Sequence, residues 1–225
     1  MDAINAKIKA MRAGLFSVSD YQVLCRSRSV GQFLGLVKKR LSMEDELRRI
    51  RLFVVNTGMR RLLDIIANRD YVKSWSYIKT KVRGQDKIVL TQIKGTEIDL
   101  QNIVRIYRLK RYYPQSEIYS QLIPICYRLD KDTIKQMAES PSEKELVVAV
   151  KHTCYGHLDF GDIDVSISDE MRRVISGMTM RYPRSVAGIA AYFFARQTEI
   201  HNMTAIEEGL KYQLPPEEIF RNLML

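Results

Sequence analysis

The sequence is poor in the residues that interrupt helices. Only 6 of its 225 residues are proline and 11 are glycine, and several long stretches contain neither. A turn-rich β fold needs such residues at its many turns, so the shortage favours helices. The hydrophobic share of 46% and the charged share of 28% are those of a globular chain that can bury a core.

Cysteine is scarce as well, and the short motifs of nucleotide binding are missing. Cys25, Cys126 and Cys154 lie far apart without a CxxC pair, so we expect buried free thiols in a reducing compartment rather than a disulfide framework. The sequence contains neither GxGxxG nor GxxxxGK followed by Ser or Thr. It has no apolar run near the roughly 20 residues of a membrane span, and its charged beginning differs from a signal peptide.

One short segment invites a catalytic or metal-binding interpretation. His152, Cys154, His157 and Asp159 lie within eight residues of one another. A tetrahedral metal site needs four ligands that converge, and a polar turn is the better interpretation of this spacing. A Cys154–His157 nucleophile pair would lack an orienting acid and an oxyanion donor. We therefore expect no catalytic residue, no metal ion and no cofactor.

Positive charge is abundant, with a net charge of +10. Such an excess favours acidic partners, which include nucleic acid, anionic lipid and acidic protein. The densest basic stripe lies at residues 102–113, where three tyrosines alternate with four basic residues and no acid occurs: Arg105, Arg108, Lys110 and Arg111. These four are candidate partner contacts, for RNA phosphates or acidic protein, and a plain solvated helix face is the alternative.

Hydrophobic spacing predicts helices along nearly the whole chain. The first helix ends at Gly14, and Ser17 with Asp20 three residues later predicts the start of a second. Residues 79–87 are predicted to be a charged connection, and the alternation at 155–168 predicts a loop or one short strand. Further helices are predicted over residues 43–66, 88–112, 131–139, 143–153, 169–180 and 183–212, with a final helix opened by Glu217 and Glu218.

Two segments resemble each other at a spacing of about a hundred residues, which indicates an internal repeat. Each opens with Glu-Ile, at Glu97 and Glu199, and Asn102 matches Asn202 one hundred positions later. We interpret these four residues as architectural, fixing how repeat units pack. The predicted organisation is a first unit, a second unit and a closing helix pair, over residues 1–96, 97–198 and 199–225.

The first residues form a weaker third copy of the same pattern. Asn5 lies 97 residues before Asn102, and Asp20 sits at the corresponding offset from Glu117. A repeat unit has an apolar face that it cannot bury alone, so neighbouring units cover each other. The sequence therefore predicts a body of packed helices that holds a partner rather than one that carries out a reaction.

These segments resemble a known family. EIDLQNIVRIYRLKRYY is similar to the Glu-Ile-Asp-x-x-Asn-Ile segment in the C subunit of V/A-type ATP synthases, known as the d subunit in eukaryotic vacuolar ATPases. YPRSVAGIAAYFFARQTEIHNMTAIEEGLKYQLPPEEIFRNLM resembles the C-terminal end of that family, and INAKIKAMRAGLFSVSDYQVL resembles its opening helix pair. The resemblance is strong over residues 97–124 and 182–224.

The resemblance implies an all-α fold of repeated helical units packed in an arc or funnel. It implies a non-catalytic central-stalk subunit of a V/A-type rotary ATPase, peripheral to the cytoplasmic face of the membrane. Its expected partners are the proteolipid ring and the D and F subunits of the central shaft, and it reaches the membrane only through them. Whether the coupled ion is H⁺ or Na⁺ stays open.

Two features depart from the family pattern. Family members have three units before the closing pair, whereas two periods and the pair use up this chain, so one unit is expected to be missing. Glu207 and Glu208 replace the apolar and basic residues expected in the closing pair. The positive charge motivates an alternative, a helical-repeat RNA-binding protein in which Arg105 and Arg108 dominate.

Overall fold

A computed structural model of the chain describes residues 2–37, 57–67, 70–113 and 117–225. Within these residues the fold is all-α, as the sequence predicted, with one short 3-10 turn at Tyr119–Gln121 and no strand. The helices are α1 (Asp2–Arg12), α2 (Val18–Cys25), α3 (Val30–Val37), α4 (Thr57–Ala67), α5 (Tyr71–Lys81), α6 (Gly84–Tyr112), α7 (Lys131–Glu139), α8 (Glu143–Lys151), α9 (Ile163–Arg181), α10 (Ala187–Lys211) and α11 (Pro216–Arg221).

Two stretches are more helical than the sequence predicted. The charged connection expected over residues 79–87 shrinks to two residues, because α5 runs to Lys81 and α6 begins at Gly84. Gly84 has a φ of 60°, in the left-handed region that glycine adopts without a steric penalty, so the chain turns there at once. Of the stretch predicted as a loop or one short strand, residues 155–162 form a loop of turns and residues 163–168 are the start of α9, whose N-terminus Asp162 caps.

Two other helices differ from their predicted bounds. The helix predicted over residues 43–66 lies mostly outside the described residues, and only its end is seen, as α4. The helix expected to open at Pro183 begins at Ala187, whose N–H donates to the Ser185 hydroxyl at 3.1 Å.

The chain divides into two compact units. Unit 1 combines the two ends of the chain, Met1–Asp64 and Gly188–Leu225, and unit 2 is the continuous stretch Ile65–Ala187. The repeat boundaries drawn from sequence similarity, at residues 97 and 199, fall inside α6 and α10. Those boundaries stay a prediction, because a compact unit and a sequence repeat need not coincide.

Unit 1 has a core that both ends of the chain supply. Helices α2 and α3 bury apolar side chains against α10 and α11, and the core members are Tyr21, Leu24, Cys25, Phe33, Val37, Met203, Ile206, Ile219 and Leu223. Burying side chains of this size contributes roughly 1.5–3 kcal/mol each. The N-terminal and C-terminal segments of unit 1 therefore share one hydrophobic core.

Unit 2 is organised around the 29-residue helix α6. Helices α5, α7, α8 and α9 all pack against it, which explains why its buried residues lie on every face between Val89 and Tyr107. Gly95 lies in the interior of this helix without interrupting it. Its missing side chain makes room for the Tyr127 ring, which a Cβ at this position would overlap.

A helix pair occurs twice in the chain, 113 residues apart. Helices α2 and α3 are capped by Ser17 and Ser29, and α7 and α8 are capped by Asp130 and Ser142. Buried apolar residues match at the same spacing: Tyr21 with Ile134, Leu24 with Met137, Phe33 with Leu146 and Val37 with Val150. At this spacing the N-terminal segment matches α7 and α8, with Asp20 at the position of Thr133, and the match of Asp20 to Glu117 stays a prediction.

Candidate functional site

Each long helix uses one buried asparagine to hold a later segment of the chain. Asn102 in α6 donates from Nδ2 to the Ile123 carbonyl at 3.1 Å and accepts the Ile123 N–H at 2.8 Å. Asn202 in α10 does the same with Met224, at 2.9 and 2.8 Å. The carboxamide has one donor and one acceptor side, so it pairs with a backbone as a second backbone would. We call these two arrangements the asparagine clamps.

Three residues before each asparagine, a buried carboxylate accepts backbone N–H groups from another segment. In unit 2, Oδ2 of Asp99 accepts from Arg128 N at 2.9 Å, Leu129 N at 3.4 Å and the Tyr155 hydroxyl at 2.9 Å. Burial raises the pKa of Asp99, and these hydrogen bonds offset part of the increase.

The matching carboxylate in unit 1 is Glu199, which is 2% exposed. Its Oε1 accepts the Phe16 N–H at 2.7 Å, and it forms an ion pair with Arg196, which is also buried. Phe16 lies just ahead of the cap of α2, as Leu129 lies just ahead of the cap of α7. Each of the two carboxylates therefore holds the segment just ahead of a helix cap in its own unit, and we call them the acid clamps.

Glu97 does not hold the position that the sequence comparison gave it. It is 26% exposed, accepts from the Tyr71 hydroxyl at 3.1 Å and pairs with Lys94 at 2.8 Å, all within unit 2. At the spacing of 100 that aligns the asparagines, the counterpart of Glu199 is Asp99. The sequence signal that would have found Asp99 is an acid three residues before an asparagine, which occurs in both segments.

The four basic residues of the stripe in α6 all bond within the chain. Arg105 donates to the Gln121 carbonyl at 3.1 Å, and Arg108 donates to both Asp164 oxygens at 2.6 and 2.9 Å. Lys110 donates to the carbonyls of Ala138, at 2.8 Å, and Ser140, where α7 ends, and burial lowers its pKa. Arg111 donates to the Tyr107 hydroxyl at 2.7 Å. Contact with a partner stays a prediction for these four.

One histidine of the histidine and cysteine segment is bonded to a residue of α9. His157 contacts Glu170 at 2.9 Å, and Arg173 also pairs with that buried carboxylate. Across the described ranges, no three His, Cys, Asp or Glu side chains converge on a point where a metal ion would bind.

All three cysteines are free, and only one is buried as expected. Burial raises the pKa of the Cys25 thiol to about 11. The expectation of buried thiols was wrong for Cys126 and Cys154, which are exposed because both lie in connections between helices.

A cleft of about 470 Å³ opens to solvent between α7 and α8. Its charged lining residues are of both signs: Asp132, Lys135, Glu139 and Glu145. A general acid or base needs a drier environment than this to shift its pKa.

No helix in the part of the chain that the structure describes is long and apolar enough to cross a bilayer.

The duplicated clamps and helix pairs define an all-α protein built from repeated helical modules. The family comparison identifies the class more closely: the chain belongs to the ATP synthase (C/AC39) subunit family, whose model matches residues 43–221. This is a family of accessory, non-catalytic subunits.

Several curated relatives are named as the C subunit of an A-type ATP synthase. The Archaeoglobus fulgidus protein is 27% identical over 150 residues, which are 62% of this chain and 42% of the relative. The Pyrococcus abyssi protein is 24% identical over 66% of this chain and 43% of its own length. The Pyrococcus furiosus protein is 20% identical over 97% of this chain and 63% of its own length. The chain thus spans about half the length of the relatives it matches.

Proposed function

We propose that this chain is a non-catalytic central-stalk subunit of a V/A-type rotary ATPase. In this role it sits peripherally on the cytoplasmic face of the membrane and connects the proteolipid ring to the D and F subunits of the shaft. Rotation of the ring then reaches the catalytic head, in ATP synthesis or in ATP-driven ion transport. The observation that carries the proposal is the family match over residues 43–221.

The internal bonding of the two units supports a mechanical role. A torque-transmitting part must keep its helices in register under load, and buried hydrogen bonds between segments fix packing more specifically than apolar contacts do. Asn102 and Asn202 are both fully buried, and each holds another segment by two hydrogen bonds. The RNA-binding alternative gains no support from the basic stripe, because its four side chains bond within the chain.

Purification from native membranes tests the proposal. A tagged chain extracted in mild detergent is expected to elute with the proteolipid ring and with the D and F subunits, and to hydrolyse no ATP alone. Elution without the ring in every extract would contradict the role.

A pair of variants tests the mechanical part of the proposal separately. Asn102→Ala loosens the clamp in unit 2, and it is expected to lower ion-driven ATP synthesis relative to ATP hydrolysis in reconstituted complexes. Gln101→Ala, on the same turn of α6, is the matched control and should leave that ratio unchanged. Equal ratios of ATP synthesis to ATP hydrolysis in the two variants would show that the clamp takes no part in coupling.

A further inference from the structure

The corner between α5 and α6 carries positive charge that the surrounding acids do not neutralise. Residues 71–85 include no acid at all. We define the basic corner as Lys79, Lys81, Arg83 and Lys87. The first three side chains are exposed and Lys87 is half-buried, and within the described residues none of the four forms an ion pair with a carboxylate.

The two acids that flank the corner are already engaged elsewhere. Asp70 caps α5 through the Lys73 N–H at 3.1 Å and pairs with the Lys73 ammonium at 2.9 Å. Asp86 accepts the Val186 N–H at 2.9 Å, which ties it to the segment ahead of α10. Both flanking carboxylates are thus bonded to other groups, and the exposed side chains of Lys79, Lys81 and Arg83 are accessible to an anionic partner.

The corner has a fixed backbone rather than a loose loop. Gly84 makes the sharp turn, and the Lys87 ammonium donates to the Lys79 carbonyl at 2.9 Å, which bonds one helix to the next. The adjacent Ile88 is 50% exposed although it is a large apolar residue. Grouped basic side chains attract the anionic headgroups of a membrane surface.

We propose that the basic corner binds the anionic headgroups of a membrane surface. Lipid fits better than single-stranded RNA, which needs open aromatic faces for stacking. The one tryptophan nearby is covered, since the Lys79 ammonium lies 4.6 Å from the Trp75 ring centroid and the Tyr127 ring meets it edge-on at 5.9 Å. The proposal goes beyond the coupling role, in which other subunits alone mediate contact with the membrane.

Vesicle binding by the isolated full chain tests the proposal. Binding is expected to phosphatidylcholine vesicles that contain phosphatidylglycerol, and not to phosphatidylcholine alone, and it should weaken as salt is added. The triple variant Lys79→Gln, Lys81→Gln, Arg83→Gln is expected to bind on the order of a hundredfold more weakly, since each basic residue near an anionic surface contributes about fivefold.

The matched control removes the same charge from another place in unit 2. Lys131→Gln, Lys144→Gln, Lys151→Gln changes three exposed lysines of α7 and α8 and should bind vesicles almost as the unchanged chain does. Thermal unfolding of both variants checks that they are folded.

Several outcomes would overturn the proposal. Equal losses in the two triple variants would assign vesicle binding to net charge and not to the corner. Corner-dependent binding to single-stranded RNA, with none to vesicles, would assign the corner to nucleic acid. If the corner variant binds vesicles normally but no longer elutes with the ring, the corner contacts an acidic protein surface. Because vesicle binding is measured without other subunits, its failure leaves the coupling role standing.

Discussion

The clamps of the two units make the same kinds of hydrogen bond, but the segments that they join follow one another differently along the chain. In unit 2, Asp99 and Asn102 hold segments that follow within 56 residues, at Ile123, Arg128 and Tyr155. In unit 1, Glu199 holds Phe16 from 183 residues away, and Asn202 holds Met224 near the chain end. The local hydrogen bonds are thus preserved while the order of the segments is not.

The two acid clamps also differ in electrostatics. Glu199 faces the buried guanidinium of Arg196, so its charge is balanced. Asp99 accepts from backbone N–H groups and a tyrosine hydroxyl, which are neutral donors, and its Oδ1 is buried without a hydrogen bond among the described residues. A neutral carboxyl is therefore tolerated at Asp99 and is costly at Glu199.

Neutralising the two acids should give the largest contrast between the units. Glu199→Gln is expected to lower the free energy of unfolding by about 3–5 kcal/mol, because it removes the charge that faces buried Arg196. Asp99→Asn is expected to cost less than about 1 kcal/mol, since an amide oxygen still accepts. Urea unfolding of both variants measures the difference, and equal costs would show that the clamps are electrostatically alike.

The pH dependence of the unfolding free energy gives a second measurement for Asp99. Burial raises the folded-state pKa of Asp99 above its ordinary value of 3.8. The folded state therefore holds the proton more tightly than the unfolded state, so the stability that this group contributes is full below about pH 4 and falls as pH rises through the folded-state pKa. Asp99→Asn should lack this decrease. Identical pH profiles of the unfolding free energy for the variant and the unchanged chain would contradict the assignment.

Removing each asparagine is expected to have the next largest effect. Asn102→Ala leaves the Ile123 N–H and carbonyl buried without partners, which should cost about 2–4 kcal/mol. Asn202→Ala should cost about 1–2 kcal/mol, because Met224 is only partly buried and water can replace the carboxamide. Denaturant titration checks the order, and a larger loss at Asn202 would reverse the comparison.

Replacing a closely packed glycine in α6 and in α10 should give a smaller difference in the free energy of unfolding between the two units. Gly95→Ala pushes a methyl into the Tyr127 ring and should cost about 1–2 kcal/mol net of the better helix propensity of alanine. Gly209→Ala meets Ile219 Cγ1 at 2.6 Å in the six-residue helix α11, which can shift, so about 0–1 kcal/mol is expected. Gly177→Ala is the control: among the described residues no atom lies within 4 Å of the added Cβ, so melting should show a gain of up to about 1 kcal/mol.

The smallest effect is expected in the basic stripe. Arg108 and Asp164 are each 53% exposed, and exposed ion pairs contribute little. Arg108→Ala should therefore change the free energy of unfolding by less than about 0.5 kcal/mol. A loss well above that in chemical denaturation would make the pair part of the core of unit 2 and not of its surface.

The helical class and most of the helix positions could be predicted from the sequence. Caps such as Ser17 and Ser142 and the apolar period of 3.6 residues act over a few neighbours, so they are readable without the fold. The matched asparagines were also visible, because their spacing of 100 coincides with matched helices. The partner of each asparagine could not be predicted, since nothing local in the sequence marks Ile123 or Met224 as the residue that the asparagine holds.

Helicity, internal repetition and the lack of a catalytic motif follow from the order of residues alone, because propensity, capping and periodicity are local properties. The segments that Asp99 and Glu199 hold, and the joining of the two chain ends in unit 1, became visible only in the packed molecule. Burial and long-range hydrogen bonds depend on which segments meet in space, and a contact across 183 residues leaves no trace in the local pattern.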